Sequence, residues 1–385
     1  MERWNPQIFR TQAQTAAVPP EMVAHMITVG KRITSCHREI QPVFTLKHLA
    51  MLSGVDYGFL RHTVGRNTGA YTEFQIRKRP SANGQTSYRT ICVPSPALMK
   101  VQRWVARNIL SHVPAHPCSV AFSTGDSLYN AVAPHCPSKW LVKLDIRNFF
   151  ESIDEISVYK VFHQLGFEPL IAFEMARLCT YVGTNPLNSQ DRWEDSHLLP
   201  EFIIKLYQYP GQGHLPQGAP TSPMLANLVC RALDDRLSSL ADEHSVRYTR
   251  YADDMTFSTS DVDFGREKAG TLIRLVYHQL NRQALNPNTA KTTVVPPGAR
   301  KLVLGLSAEE NVPRLTRQFK DLLRQHIHYL LRNDVGPTKH AAAREFASTA
   351  GLRHHLGGLL AFAAQIEPKW AATQRSRFNA VPWPY

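Results

Sequence analysis

A chain of 385 residues with 43% apolar side chains is long enough for two or three packed units, and no apolar run reaches the ~18 residues that a membrane helix needs. Lysine and arginine number 44 against 31 acidic residues, and this excess of +13 favours a polyanionic partner, most simply nucleic acid. Six scattered cysteines (Cys36, Cys92, Cys118, Cys136, Cys179, Cys230) share no CxxC spacing and Met1–Pro6 lacks a secretory plan, so no zinc site or disulfide framework is expected, and a cytoplasmic location is.

Residues 1 to about 40 carry short helical patterns broken at Pro19-Pro20. Leu46, Leu49, Ala50 and Leu52, then Gly54-Val55 and Leu60, predict two short helices around a turn. No helix rich in base-reading polar residues follows, so a structural pair is expected rather than a DNA-reading helix-turn-helix. Tyr71 to Pro94 reads as a hairpin turning at Ser81-Ala82-Asn83-Gly84, and Leu98 to Val113 as a helix. Trp140 to Ile146 is apolar and β-capable, as a buried central strand should be. Arg147 to Ile153 is expected to begin a helix. Gly183 to Gly213, long and polar, reads as a surface insertion. Helices are predicted over Ser222–Leu240 and Phe264–Ala284, and the last 75 residues read as helical and basic, with Arg314, Arg317, Lys320 and Arg324 along one helix.

Chemistry concentrates in Arg250-Tyr251-Ala252-Asp253-Asp254-Met255, set between two runs of β-forming residues. Adjacent carboxylates on a tight turn repel unless a cation lies between them, and hard Mg²⁺ prefers such oxygen donors. A solvated Asp-Asp turn is the plain alternative. Asp145, ending the Trp140–Leu144 strand, is placed to point into a cleft, although a lone Asp there more often caps a helix. Three carboxylates would complete a two-ion site for phosphoryl transfer.

In this order the motifs resemble those of a reverse transcriptase over roughly residues 70 to 310. Leu144-Asp145-Ile146 with Phe149-Phe150 resembles motif A, and Leu215 to Pro223 resembles motif B. Tyr251-Ala252-Asp253-Asp254 resembles the YxDD box, Asn288-Thr289-Ala290-Lys291-Thr292 motif D, and Leu304-Gly305-Leu306 the primer-grip turn. The resemblance implies an α+β right-hand polymerase fold. Its parts would be an N-terminal helical region (1–65), fingers (66–140), a palm (141–310, with the insertion near 183–213) and a helical, RNA-binding thumb (311–385). It implies two Mg²⁺ ions held by Asp145, Ile146, Asp253 and Asp254, with Lys291 as proton donor. It further implies a triphosphate pair Lys78 and Arg89, an aromatic sugar gate at Phe150 with Phe149 in the core, and Gln217 and Gly218 against the incoming deoxynucleotide.

Asn130-Ala131-Val132-Ala133-Pro134-His135 resembles the NAxxH motif of retron reverse transcriptases, while Val303-Leu304-Gly305 stands where that family usually carries VTG. That subgroup implies copying of a cognate structured non-coding RNA (msr-msd) into branched msDNA, primed from a guanosine 2′-hydroxyl. It also implies a separate effector protein, a role in antiphage defence, and no membrane. Asn130, His135, Arg314, Arg317, Lys320 and Arg324 are then the expected RNA contacts; alternatively Asn130 and His135 are a bonded pair holding a loop. The residues after Gly305 are expected to form a thumb, with no maturase, endonuclease or RNase H module expected. Another small prokaryotic reverse transcriptase, or a non-catalytic RNA-binding scaffold, are the competing readings.

Overall fold

A computed structural model describes residues 4–77, 88–183, 207 and 211–384. Four N-terminal helices, α1 (Pro6–Thr15), α2 (Pro20–Cys36), α3 (Leu46–Ser53) and α4 (Tyr57–Val64), precede a hairpin of β1 (Tyr71–Arg77) and β2 (Tyr88–Pro94). Thr45 and Asp56 cap the expected helix pair, and Gly54 ends α3 at a left-handed φ of 63°. The hairpin pairs from Tyr71 opposite Pro94 to Arg77 opposite Tyr88. Its predicted tip, with Lys78, lies outside the described residues.

Next come α5 (Pro96–Asn108), α6 (Leu128–Val132), the central strand β3 (Trp140–Asp145), α7 (Glu155–Gln164) and α8 (Pro169–Cys179). After α9 (Ser222–Val229) and α10 (Arg231–Glu243), β4 (Arg247–Tyr251) and β5 (Asp254–Thr259) form a hairpin; α11 (Gly265–Asn281) and β6 (Thr293–Val295) follow. The antiparallel sheet runs β4-β5-β3-β6. β3 lies inside it, and five of its six residues are buried, which is why its sequence reads as an apolar run. Leu144, Met255, Phe257, Leu225, Leu237 and Leu272 share the core that joins this sheet to its helices.

A small sheet, β7 (Leu302–Val303), β8 (Leu306–Ser307) and β9 (Arg314–Leu315), leads into α12 (Arg317–Leu331), α13 (Gly336–Ala343), α14 (Thr349–Ile366) and α15 (Pro368–Asn379). Val303, Leu306 and Leu315 share a core with Ala363 and Ile366 and also with Leu141 of β3, so the terminal helices are seated on the central sheet. Among the described residues no helix is long and apolar enough to cross a membrane, and the six cysteines are free.

Three local expectations change. Arg147 to Ile153 is a succession of turns, because Asn148 adopts φ 48° and Phe149 enters the core; the helix starts only after Asp154, whose side chain accepts from Ser157 N at 2.7 Å. The helix predicted over Ser222–Leu240 divides at Cys230, where ψ is near 0°. Arg314 belongs to β9, one turn before the helix assigned to it. Of the 183–213 insertion, residues 184–206 and 208–210 lie outside the described residues. Its flanks meet: Tyr181 and His214 exchange two backbone hydrogen bonds of 2.9 and 3.0 Å.

Candidate active site

The acidic hairpin is held by its register. Tyr251 pairs with Asp254, leaving Ala252-Asp253 as a two-residue turn, and Ala252 takes the positive φ (57°) that such turns require. On the other side of β5, Asp254 stands directly opposite Asp145. Ile146 N donates to Asp253 O at 3.1 Å, tying the turn to the end of β3. The backbone thus gathers three carboxylates at one end of the sheet. Desolvation, then the charges of Asp254 and Asp145, push the Asp253 carboxyl up against its own backbone hydrogen bond. Asp254, the most open of the three, is likewise raised, first by the desolvation it still suffers and then by Asp145. Both shifts come first from burial and then from the neighbouring carboxylates, with Lys291 opposing them.

Asp145 is 5% exposed and both its oxygens are engaged. Asn288 Nδ2 donates to Oδ1 at 2.8 Å and Lys291 Nζ to Oδ2 at 2.6 Å, while Asn288 N donates to the Asp145 carbonyl at 2.8 Å. Asn288 was absent from the predicted site residues. Only its place three residues before Lys291 hinted at a role, since a single turn of 3₁₀ helix brings both onto Asp145. Among the described residues no three His, Cys, Asp or Glu side chains converge tightly enough to cage an ion. The donor chemistry nevertheless suits a hard divalent cation, with Lys291 supplying positive charge beside Asp145. Ile146, buried and apolar, has only its main-chain carbonyl to offer such an ion.

Beneath the turn lies a buried polar support. Arg250, fully buried, donates to Asp234 Oδ1 and Oδ2 at 2.8 and 2.6 Å, to Ala252 O at 3.1 Å and to Asn227 Oδ1 at 3.3 Å. Tyr248 Oη also donates to Asp234, at 2.9 Å. The guanidinium lies 5.9 Å from the centre of the Phe149 ring, so one buried cation braces both acidic segments.

The predicted nucleotide pocket is only partly assembled by the described residues. Phe149 is core, as expected, and Phe150 is half-buried beside it at 5.5 Å. Gly218 takes φ +116°, and a Cβ there would meet Ile91 Cγ2 at 2.9 Å and the Cys92 carbonyl at 3.1 Å. The close approach that demands glycine is therefore to β2. Gln217 O accepts from Cys92 N at 2.8 Å, tying the motif B turn to the hairpin. Arg89 is exposed on β2, opposite Ile76.

The family model for reverse transcriptase (RNA-dependent DNA polymerase) matches residues 76–310, a stretch that contains the three aspartates, Phe150, Gln217 and Lys291. The chain belongs to the reverse transcriptase family. It is an RNA-directed DNA polymerase with the right-hand polymerase fold of that family, whose members use an RNA template and divalent metal ions. Retron Ec86 reverse transcriptase of Escherichia coli is 28% identical over 73% of this chain and 72% of its own length. Retron Mx65 reverse transcriptase of Myxococcus xanthus is 29% identical over 85% and 69%. Retron Mx162 reverse transcriptase of the same organism is 32% identical over 67% of this chain, which spans 52% of that protein.

Among the RNA contacts expected of this reverse transcriptase, one is corrected. His135 is 1% exposed, with Nδ1 2.7 Å from Ser258 Oγ and Nε2 2.7 Å from Thr249 Oγ1. It fastens the segment before β3 to β4 and β5 and offers no face to RNA. Its partners are those two hydroxyls, and Asn130 sits exposed on α6. Lys320 is engaged within the protein: its ammonium pairs with Glu367 at 2.8 Å and lies 5.7 Å from the centre of the Trp370 ring, and Glu367 accepts from Leu315 N at 2.9 Å, while the half-buried Lys320 side chain lines the same groove as Arg314 and Arg317. Lys320 is a strut between β9, α12 and α15. Arg317, at 88% exposure, and Arg324 do face solvent, loosely attended by Asp321, and Arg314 pairs with Glu310. These residues border a groove with Arg300 and Ser307. Leu304 and Gly305 form a two-residue turn with φ of 48° and 82°, between the paired Val303 and Leu306.

Proposed function

We propose that this reverse transcriptase is the polymerase of a retron, copying part of a cognate structured non-coding RNA into branched msDNA from a 2′-hydroxyl primer. The observation that carries the polymerase chemistry is Asp145 facing Asp254 across β3 and β5, with Asp253 on the adjoining turn. The retron assignment rests on the NAxxH motif and on the retron names of the relatives.

In this reading Asp145, Asp253 and Asp254, with the Ile146 carbonyl, hold two Mg²⁺ ions. When bound, the ions acidify the attacking hydroxyl and neutralise charge on the transferring phosphoryl group. Arg89 and Lys78 bind the triphosphate, Arg by bidentate contacts and Lys as a point charge. Gln217 and Gly218 line the base-pair side, and Phe150 stands against the 2′-carbon of the sugar. Lys291 Nζ delivers a proton to the leaving pyrophosphate, which requires it to leave Asp145 Oδ2. The Leu304-Gly305 turn supports the primer end. Arg317, Arg324 and Arg314 take RNA phosphates, which A-form helices present on their outer face. An effector protein encoded separately, and service in antiphage defence, complete the proposal.

The test is to isolate the protein with its bound RNA, supply deoxynucleotides and Mg²⁺, and treat the product with a 2′,5′-debranching enzyme. DNA released from RNA only after debranching is expected. Exclusively linear products, extended from free 3′ ends, would overturn the retron reading and leave the polymerase standing.

A further inference from the structure

Three non-glycine residues with positive φ surround the candidate site: Ala252 (57°), Asn148 (48°) and Phe122 (72°). A bulky L-residue in this region is strained, and such strain persists where the surroundings fix it, often at functional sites. Ala252 carries the acidic turn and Asn148 turns Phe149 inward. Phe122 belongs to no motif used so far.

The backbone leading into Phe122, residues 118–121, is held by hydrogen bonds. Arg250 N donates to Cys118 O at 2.8 Å, Val120 N to Arg250 O at 2.9 Å, and Asn227 Nδ2 to Ala121 O at 2.7 Å. The side chain is not core, being 42% exposed. Its ring meets Phe150 at 6.5 Å and Tyr251 at 6.2 Å, tilted 46° to each. A strained backbone and an open aromatic ring thus coincide where the expected sugar gate meets the acidic hairpin.

We propose that Phe122 is a positioning residue for sugar selection, backing the Phe150 ring so that it cannot yield to a 2′-hydroxyl. The proposal rests on Phe150 being the gate. A ring excludes a hydroxyl only when its alternative rotamers are closed. Phe149, fixed in the core, closes one side of Phe150 at 5.5 Å, and Phe122 closes another. Without Phe122 the gate ring gains a direction in which to turn. An apolar pocket rejects an added hydroxyl by about 100-fold, so a loosened gate is expected to forfeit about tenfold of that.

The experiment measures single insertion of dCTP and of CTP opposite guanine on a primed RNA template. Phe122→Gly removes the ring while allowing the positive φ, so the backbone is relieved rather than disturbed; Phe122→Tyr keeps the ring. Phe122→Gly is expected to lower the deoxy-over-ribo preference about tenfold, through a lower KM for CTP, with kcat for dCTP changed less than about threefold. Phe122→Tyr should retain the preference, and Phe122→Gly should add nothing to Phe150→Val. Equal loss with both nucleotides, or multiplicative effects in the double variant, would overturn the proposal. If Phe150→Val shifts selectivity and Phe122→Gly does not, Phe122 alone is refuted. If Phe150→Val leaves selectivity unchanged, the gate falls and this proposal with it.

Discussion

Arg250→Met removes the cation beneath the acidic turn and leaves the Asp234 carboxylate at zero exposure with Tyr248 Oη as its remaining hydrogen-bond donor. Breaking one half of a buried pair costs about 3–5 kcal/mol, because the surviving charge keeps its desolvation penalty. Against a typical total of about 5–15 kcal/mol, that is a large fraction of the stability. Arg250→Met with Asp234→Leu removes the stranded charge. The double variant then lacks mainly an acceptor for Tyr248 and a donor for the Ala252 carbonyl, about 2 kcal/mol together at ~1 kcal/mol each. Urea unfolding should therefore rank the parent first, the double variant second and the single variant last. DNA synthesis should rank differently. Both variants lose the 3.1 Å bond to Ala252 O that braces the Asp253 turn, so both should be slow to a similar degree. A single variant within about 1 kcal/mol of the parent, or a double variant less stable than the single, would refute the account of Arg250 as a charge whose burial depends on Asp234.

Asp253→Ala with Asp254→Ala should abolish Mg²⁺-dependent primer extension and leave RNA affinity within about threefold, read by filter binding; persistent synthesis would remove the metal assignment. Gly218→Ala should cut DNA synthesis strongly, since its Cβ lands 3.1 Å from the Cys92 carbonyl at a φ of +116°; wild-type rates would show that the turn is free to shift. Arg317→Glu with Arg324→Glu should weaken RNA binding and flatten its salt dependence, whereas Lys320→Ala should lower thermal stability with RNA affinity nearly kept. His135 has its pKa pulled down from 6.5 to about 4, by burial first and then by the charge of Arg247. The unfolded chain takes up that proton near 6.5 and the folded one only near 4, so this stability is complete above pH 6.5 and falls away toward pH 4. The loss amounts to about 3 kcal/mol, and His135→Gln should flatten this part of the curve; an unchanged slope would count against it.

The parts of the site legible in the sequence are those fixed by local pattern. β3 was visible because a strand buried on both faces is apolar throughout, and the acidic hairpin because two β-forming runs flank a short turn. Charge identity, in contrast, does not reveal charge disposition. Lys320 and Arg317 lie three residues apart on α12 and read alike, yet one is clamped by Glu367 from α15's N-cap position, 47 residues onward, and the other stands in solvent. His135 misled for the same reason: Thr249 and Ser258, which satisfy it, lie more than a hundred residues away and are ordinary strand residues in sequence. A polar side chain in a nucleic-acid-binding protein invites a ligand role until its burial is known.

Asn288 and Phe122 were missed in a more instructive way. Neither carries a charge, and neither reads as reactive. Asn288 matters because a 3₁₀ turn sets it beside Lys291 on the two oxygens of Asp145, so that the carboxylate is oriented before any ion arrives. Phe122 matters because the residues just before it, Cys118 and Val120, bond the backbone of Arg250, the residue that also holds the Asp253 turn from below. The acidic turn, its buried cation and the segment that leads to the ring behind the expected sugar gate are therefore linked through Arg250. A change in Arg250 should disturb sugar selection as well as rate, whereas a change confined to the Asp253 and Asp254 carboxylates should remove rate alone.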